Sequence, residues 1–151
     1  MRDIAEHGPR LWPHGDAIRE TGEAFLDCTL PKAEWTHEAH ISTTCWLILE
    51  RSDLQPERDL PGLIRRYNES VGGVNSDSEG YHETITRAYL RGVRWFLAGT
   101  DTKRPLHLVV SDLLSSPVGS RDWPLRFWSR DRLMSSAARL GYVEPDLGPL
   151  P

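Results

Sequence analysis

Apolar residues recur at intervals of three and four along most of the chain, which is the spacing of amphipathic helices. This pattern predicts helices over about 16–30, 37–51, 56–70, 81–98, 105–114 and 130–140. Boundary signals support several of them: Thr36 and Ser129 are predicted N-caps, and Pro31 and Gly99 are predicted stops. The turn formers of residues 71–80 predict a loop between the third and fourth helices.

A strand would show a sustained two-residue alternation, and the chain has none. The best strand candidate, His107–Val110, fits a helix better. We therefore predict an all-α protein, with residues 1–151 forming a single compact, bundle-like domain of about five or six helices. Prolines and glycines predict an irregular N-terminal arm at residues 1–14 and an extended tail at residues 141–151.

Composition narrows the class of protein. A formal net charge of -4 leaves no broad basic field, which argues against a nucleic-acid partner. The apolar runs are far shorter than the about 20 residues that span a bilayer, and the N-terminus lacks an apolar signal core. We therefore expect a cytoplasmic protein without a membrane partner. Its cysteines, Cys28 and Cys45, exclude a disulfide scaffold and are expected to be reduced.

Three histidines fall on the apolar faces of predicted helices. At about 100° per residue, His37 and His40 share a face of the second helix with Ile41, and His82 lies in the apolar stripe of the fourth helix. Burying an imidazole without a hydrogen bond costs about 1–3 kcal/mol, so each ring needs a partner. One metal ion would satisfy all three rings, and the His-x-x-His spacing allows two imidazoles to reach one ion.

This placement predicts a divalent metal site between the second and fourth helices, with His37, His40 and His82 as ligands. Glu83 would be a fourth ligand or a base, and Tyr81 a catalytic acid. Nitrogen ligands favour zinc, iron, copper or nickel over magnesium or calcium. The corresponding function is a metal-dependent enzyme acting on a small molecule. A zinc-bound water would perform hydrolysis, hydration or isomerisation, whereas iron or copper would suit oxygen chemistry.

Two alternatives stay open. A cation is disfavoured near a helix N-terminus, so the two N-termini would instead bind an anionic metabolite in a non-catalytic module, with help from Arg130, Arg132 or Arg139. In the other alternative, the histidines are satisfied within the core and the protein acts through an interface, to which its six tryptophans would contribute.

Four further residues are candidates for substrate binding: Asn68, Thr86, Tyr89 and Arg139. Asn68 follows the last apolar residue of the third helix, so it would otherwise be a helix C-cap. The expected partner is a small-molecule substrate, and a homodimer is left open.

Several elements of the sequence resemble a widespread set of small bacterial proteins of unassigned function. These elements are Thr29–His40, which includes Trp-Thr-His-Glu-Ala-His, then Tyr67-Asn68, Tyr81–Thr86 with its Tyr-His-Glu-Thr-Ile-Thr run, Trp128–Arg139 and Val143–Leu147. The resemblance covers most of residues 25–151. It implies that His37, His40, His82, Glu83 and Asn68 act as a unit. The chain is also similar to metal-binding helical bundles such as thiol-dependent transferases and isomerases, whose third-ligand spacing differs.

Overall fold

A computed structural model describes residues 10–151 of the chain. Its seven α-helices are α1 (Gly15–Leu26), α2 (His37–Glu50), α3 (Pro56–Ser70), α4 (Glu83–Ala98), α5 (Leu106–Ser115), α6 (Arg130–Leu133) and α7 (Ser136–Leu140). Short 3-10 turns occupy Lys32–Glu34, Pro117–Gly119 and Trp123–Arg126. The described residues contain no strand, so the predicted all-α class is confirmed. The first nine residues of the predicted N-terminal arm lie outside the described part. Within it, no helix combines the length and the apolar character needed to cross a membrane.

Local signals set the bounds of the central helices. The Thr36 hydroxyl accepts the backbone N–H of Ala39 at 3.1 Å, so Thr36 is the N-cap of α2, as predicted. The third helix has the predicted bounds. The first helix, in contrast, ends at Leu26, before the predicted end at Leu30. Cys28 has φ 61°, and this left-handed conformation cannot continue a right-handed helix.

The last predicted helix is divided into α6 and α7. Two serines explain the division, because each accepts a backbone N–H and begins a new helix. The Ser129 hydroxyl caps α6 and the Ser135 hydroxyl caps α7. A serine in the middle of an apolar pattern competes in this way with continuation of the helix.

The second helix lies at the centre of the packing and contacts α1, α3, α4 and α5. Its closest neighbour is α1, which approaches at Gly22. A Cβ atom at Gly22 would lie 2.3 Å from the ring of Trp46, so only glycine allows this approach. The first turn of α2 carries His37 and His40, so this packing fixes the position of both imidazoles.

The C-terminal segment crosses the start of α4. Residues 141–151 form no helix or strand, as predicted for the tail. The Thr84 hydroxyl donates to the Gly141 carbonyl at 2.9 Å and accepts the Val143 N–H at 3.2 Å. The indole of Trp128, which is 0% exposed, donates to the Val143 carbonyl at 2.9 Å. The tail is therefore attached both to α4 and to the residues before α6.

Most of the tryptophans belong to the core. Trp46, Trp123 and Trp128 are buried and two others are half-buried, whereas the side chain of Trp95 is 55% exposed. One exposed indole is not an aromatic contact patch. The tryptophans therefore give no support to the interface alternative.

Candidate functional site

A cavity between α2, α3 and α4 brings most of the predicted site residues together. Two adjoining pockets, each about half open to solvent, form this cavity. The smaller one, which we name the inner chamber, has a volume of about 280 Å³ and is lined by His37, His40, Ile41, Thr44, Leu60, Ile64, Ile85, Thr86 and Tyr89. The outer chamber, of about 610 Å³, shares four of these residues: His40, Ile64, Ile85 and Thr86. Asn68, Tyr81, His82 and parts of the loop 71–80 also line the outer chamber. We call the two chambers together the imidazole cavity.

His37 begins α2 and makes a long-range hydrogen bond. Its Nε2 atom lies 2.8 Å from the carbonyl oxygen of Gly119, and its ring meets the ring of Tyr89 edge-on at 5.6 Å. A carbonyl oxygen only accepts, so Nε2 carries the proton. Burial lowers the pKa of His37 and favours the neutral ring. In that neutral ring, Nδ1 has a free lone pair.

His40 lies one turn further along α2. One face of its ring packs against the indole of Trp35, with ring centroids 3.9 Å apart. Its backbone carbonyl accepts the Thr44 hydroxyl, whereas its ring has no hydrogen-bond partner within residues 10–151. Burial, with a smaller contribution from His37, lowers the pKa of His40 to about 3. At neutral pH this ring is therefore an uncharged donor and acceptor that lines both chambers.

His82 has a different role from the other two histidines. Its Nδ1 atom accepts the Ile85 N–H at 3.1 Å and makes His82 the N-cap of α4, and its Nε2 atom donates to the Leu133 carbonyl at 2.8 Å. One nitrogen must accept and the other must donate, so the ring is held neutral in a single tautomer. Burial lowers its pKa accordingly. The geometry does not support the prediction of His82 as a metal ligand, because both ring nitrogens are already engaged and neither has a free lone pair.

Tyr81 and Glu83 pair with each other. The Tyr81 hydroxyl donates to Glu83 Oε1 at 2.5 Å, and the guanidinium of Arg65 lies 4.4 Å above the Tyr81 ring. Burial, with the Glu83 carboxylate, raises the pKa of Tyr81, which makes it a weaker acid. Glu83 lines a separate surface cavity beside Arg87 and not the imidazole cavity. The geometry does not support either predicted catalytic role.

Asn68 supports the loop that borders the outer chamber. Its Nδ2 donates to Asn75 Oδ1 at 3.1 Å, and the same oxygen accepts the Tyr81 N–H at 3.0 Å. The Asn75 amide donates in turn to the Arg65 carbonyl at 3.1 Å. Asn68 therefore lines the cavity as predicted, but its amide group serves the loop. Asn75 was missed from the sequence, where it reads only as one turn former among several.

The remaining predicted residues are divided between the cavity and the surface. Thr86 and Tyr89 line the inner chamber, where the Tyr89 hydroxyl donates to the Ser120 carbonyl at 2.7 Å. Arg139 instead donates to the Gly80 carbonyl at 2.7 Å on an exposed surface and lines neither chamber. The prediction of Arg139 as a substrate-binding residue therefore has no support in this cavity.

Within residues 10–151, no group of three or more histidine, cysteine, aspartate or glutamate side chains is close enough to share a metal ion. Comparison with protein-family models, with curated proteins and with solved structures found no match to this chain. The candidate site therefore rests on the geometry of the imidazole cavity alone.

The lowered pKa values predict that acid destabilises the fold. For each of the three histidines the folded pKa lies below the unfolded value of about 6.5, so the unfolded chain binds more protons once the pH falls below that value. The free energy of unfolding is therefore unaffected by these histidines above pH 6.5 and decreases as the pH falls below that value. Because His40 has a pKa of about 3 in the folded protein, protonation of this residue in the unfolded chain alone lowers the free energy of unfolding by about 2 kcal/mol as the pH falls from 6.5 to 5.

Urea unfolding at pH 7.5 and pH 5.0 measures this loss. The variant His40→Leu has no imidazole to protonate at this position and should lose less stability over the same interval. Equal stability of the unmodified protein at both pH values would contradict the burial of neutral imidazoles described above.

Proposed function

We propose that the protein binds a small molecule in the imidazole cavity and that His40 is its principal polar contact. The observation that carries this proposal is the ring of His40, which lines both chambers and has no hydrogen-bond partner within residues 10–151. His40 is half-buried, and its ring nitrogens are open to the cavity and not sealed from water. A ligand that bonds to this ring would take the place of water there while its apolar part contacts the aliphatic lining.

The lining fits this function. Binding sites for small molecules are concave, mostly apolar and supplied with few polar groups that fix orientation. The inner chamber combines the aliphatic side chains Ile41, Leu60, Ile64 and Ile85 with two imidazoles. Its walls belong to three helices packed on a common core, so the cavity is formed before a ligand arrives.

The alternative of an anionic metabolite has less support. Both helix N-termini already carry a carboxylate in the first turn, Glu38 in α2 and Glu83 in α4, and these offset the positive end of the helix dipole. Two of the three arginines proposed to hold the anion are engaged elsewhere: Arg132 donates to the Glu144 carbonyl and Arg139 to the Gly80 carbonyl.

A fragment screen on ¹⁵N-labelled protein tests the proposal. We expect small aromatic alcohols and amides to shift the amide resonances of Ile85 and Thr86, which line both chambers. His40→Leu should weaken these fragments by about tenfold, the equivalent of one hydrogen bond. His107→Leu is the matched control, because His107 lies on α5 and lines neither chamber. A screen in which no fragment shifts the cavity resonances would refute the proposal.

A divalent transition metal held by His37 and His40 is the second candidate. The observation that favours it is the Nε2–H of His37 on the Gly119 carbonyl. Metal-binding histidines usually donate their other ring N–H in this way, which directs the lone pair at the metal. His40 is neutral and ready to bind without losing a proton. Two imidazoles would leave positions for water or substrate, and a bound ion would supply a water of lowered pKa for hydrolysis, hydration or isomerisation.

Elemental analysis of protein purified without chelator checks this candidate. It predicts about one zinc, iron, copper or nickel ion per chain, lost in His37→Leu and in His40→Leu. His82→Asn should keep the metal, since asparagine still caps a helix and His82 offers no free lone pair. Protein that carries less than about one fifth of an equivalent and gains none on titration would exclude a metal-dependent enzyme of this kind.

A further inference from the structure

The charges around the imidazole cavity are unevenly distributed. No aspartate, glutamate, lysine or arginine lines the inner chamber. Lys32 and Glu79, which are both exposed, line the outer chamber. Arg121 acts on His37 and Tyr89 from outside this lining, and carboxylates offset it there, Glu38 at His37 and Asp122 at Tyr89. A charged group that entered the inner chamber would therefore lose part of its hydration and would meet no oppositely charged side chain in the lining, which is unfavourable.

The polar groups of the inner chamber are largely occupied by the protein itself. The Tyr89 hydroxyl donates to the Ser120 carbonyl, the Thr44 hydroxyl to the His40 carbonyl and His37 Nε2 to the Gly119 carbonyl. The exceptions are the ring of His40 and the Nδ1 lone pair of His37, which can only accept. A neutral imidazole has one N–H donor and one acceptor nitrogen, so its best partner is a group that both accepts and donates.

We infer that the ligand of the inner chamber has no net charge and presents one hydroxyl or amide group to His40 from an otherwise apolar body. This inference rests on the proposed function and specifies its ligand class. A carboxylate offers acceptors only and would bring an unpaired negative charge among Ile41, Ile64 and Ile85. An ammonium group would bring a positive charge, and the chamber has no carboxylate to pair with it.

Three probes of similar size and different charge test this ligand class. Benzyl alcohol, benzoate and benzylammonium are titrated into ¹⁵N-labelled protein at pH 7.5 with a chelator present, so that no metal supplies a positive charge. Benzyl alcohol should shift the amides of Ile85 and Thr86 and bind at least about tenfold more tightly than either ion. Binding of benzoate or benzylammonium as tight as that of benzyl alcohol, at the same resonances, would overturn the inference and leave the proposed function standing.

Toluene provides the comparison for the hydrogen bond. In the unmodified protein benzyl alcohol should bind several-fold more tightly than toluene, and His40→Leu should remove this preference while toluene still binds. A preference that survives in a folded His40→Leu protein would overturn the role of His40. If none of the four probes shifts a cavity resonance, the proposed function fails together with the inference, which distinguishes this outcome from a mistaken ligand class.

Discussion

Trp128→Ala is expected to lower the free energy of unfolding by about 4 kcal/mol, the middle of the range for a truncated core aromatic. The side chain is completely buried, and its rim meets Phe127 and Tyr142 in edge-to-face contacts at 6.5 and 6.2 Å. Truncation removes this packing together with the bond from Nε1 to the Val143 carbonyl. Urea unfolding followed by circular dichroism at 222 nm measures the loss without relying on tryptophan fluorescence.

Trp128→Phe separates the two contributions. Phenylalanine keeps much of the apolar body but cannot donate to Val143, so we expect a smaller loss of about 2 kcal/mol. A loss below about 1 kcal/mol in Trp128→Ala would mean that the tail does not depend on this residue. The substitution would affect the candidate site only indirectly. Trp128 anchors the segment that leads to Leu133, whose carbonyl accepts the hydrogen bond of His82.

His82→Ala should cost about 3 kcal/mol of stability. The change removes the N-cap of α4, worth about 1 kcal/mol, and leaves the buried carbonyl of Leu133 without its donor, which costs about 1–3 kcal/mol. His82→Asn retains a capping side chain and should recover about 1 kcal/mol. Thermal and urea unfolding of both variants provide the measurement.

The same pair of variants separates a structural from a metal-binding His82. If His82 were a ligand, His82→Ala and His82→Asn would both lose any bound metal and would change stability much less in its absence. We expect the opposite: a large loss of stability in His82→Ala and an unchanged metal content in His82→Asn.

The helices were predictable because their signals are local. Apolar spacing and the Thr36 cap are contained within a few residues, and α2 and α3 follow them closely. The inward placement of His40 and Thr86 was also predictable from the helical wheel, because a wheel reports which face an amino acid occupies. The division between α6 and α7 was not evident, since Ser135 fits both a continuing helix and a new N-cap.

The partners of the imidazoles were not predictable from the sequence. His37 bonds to a carbonyl 82 residues away and His82 to one 51 residues away, and no local pattern reports such pairs. Glu83 was predicted as a fourth ligand or a base beside the histidines, and it lies instead beside Arg87, outside the imidazole cavity. The tilted ring contact between Trp35 and His40 was missed as well, although Trp35 lies directly before the capping Thr36.

The attachment of the tail to α4 has a consequence for the order of assembly. Thr84 bonds to Gly141, 57 residues later, and to Val143, and His82 depends on Leu133. A chain synthesised from its N-terminus therefore makes α2 and α3 long before the residues that secure the first turn of α4. Contacts between distant residues form slowly because a long loop must close first. We therefore expect the wall of the imidazole cavity that contains His82 to be completed late in folding.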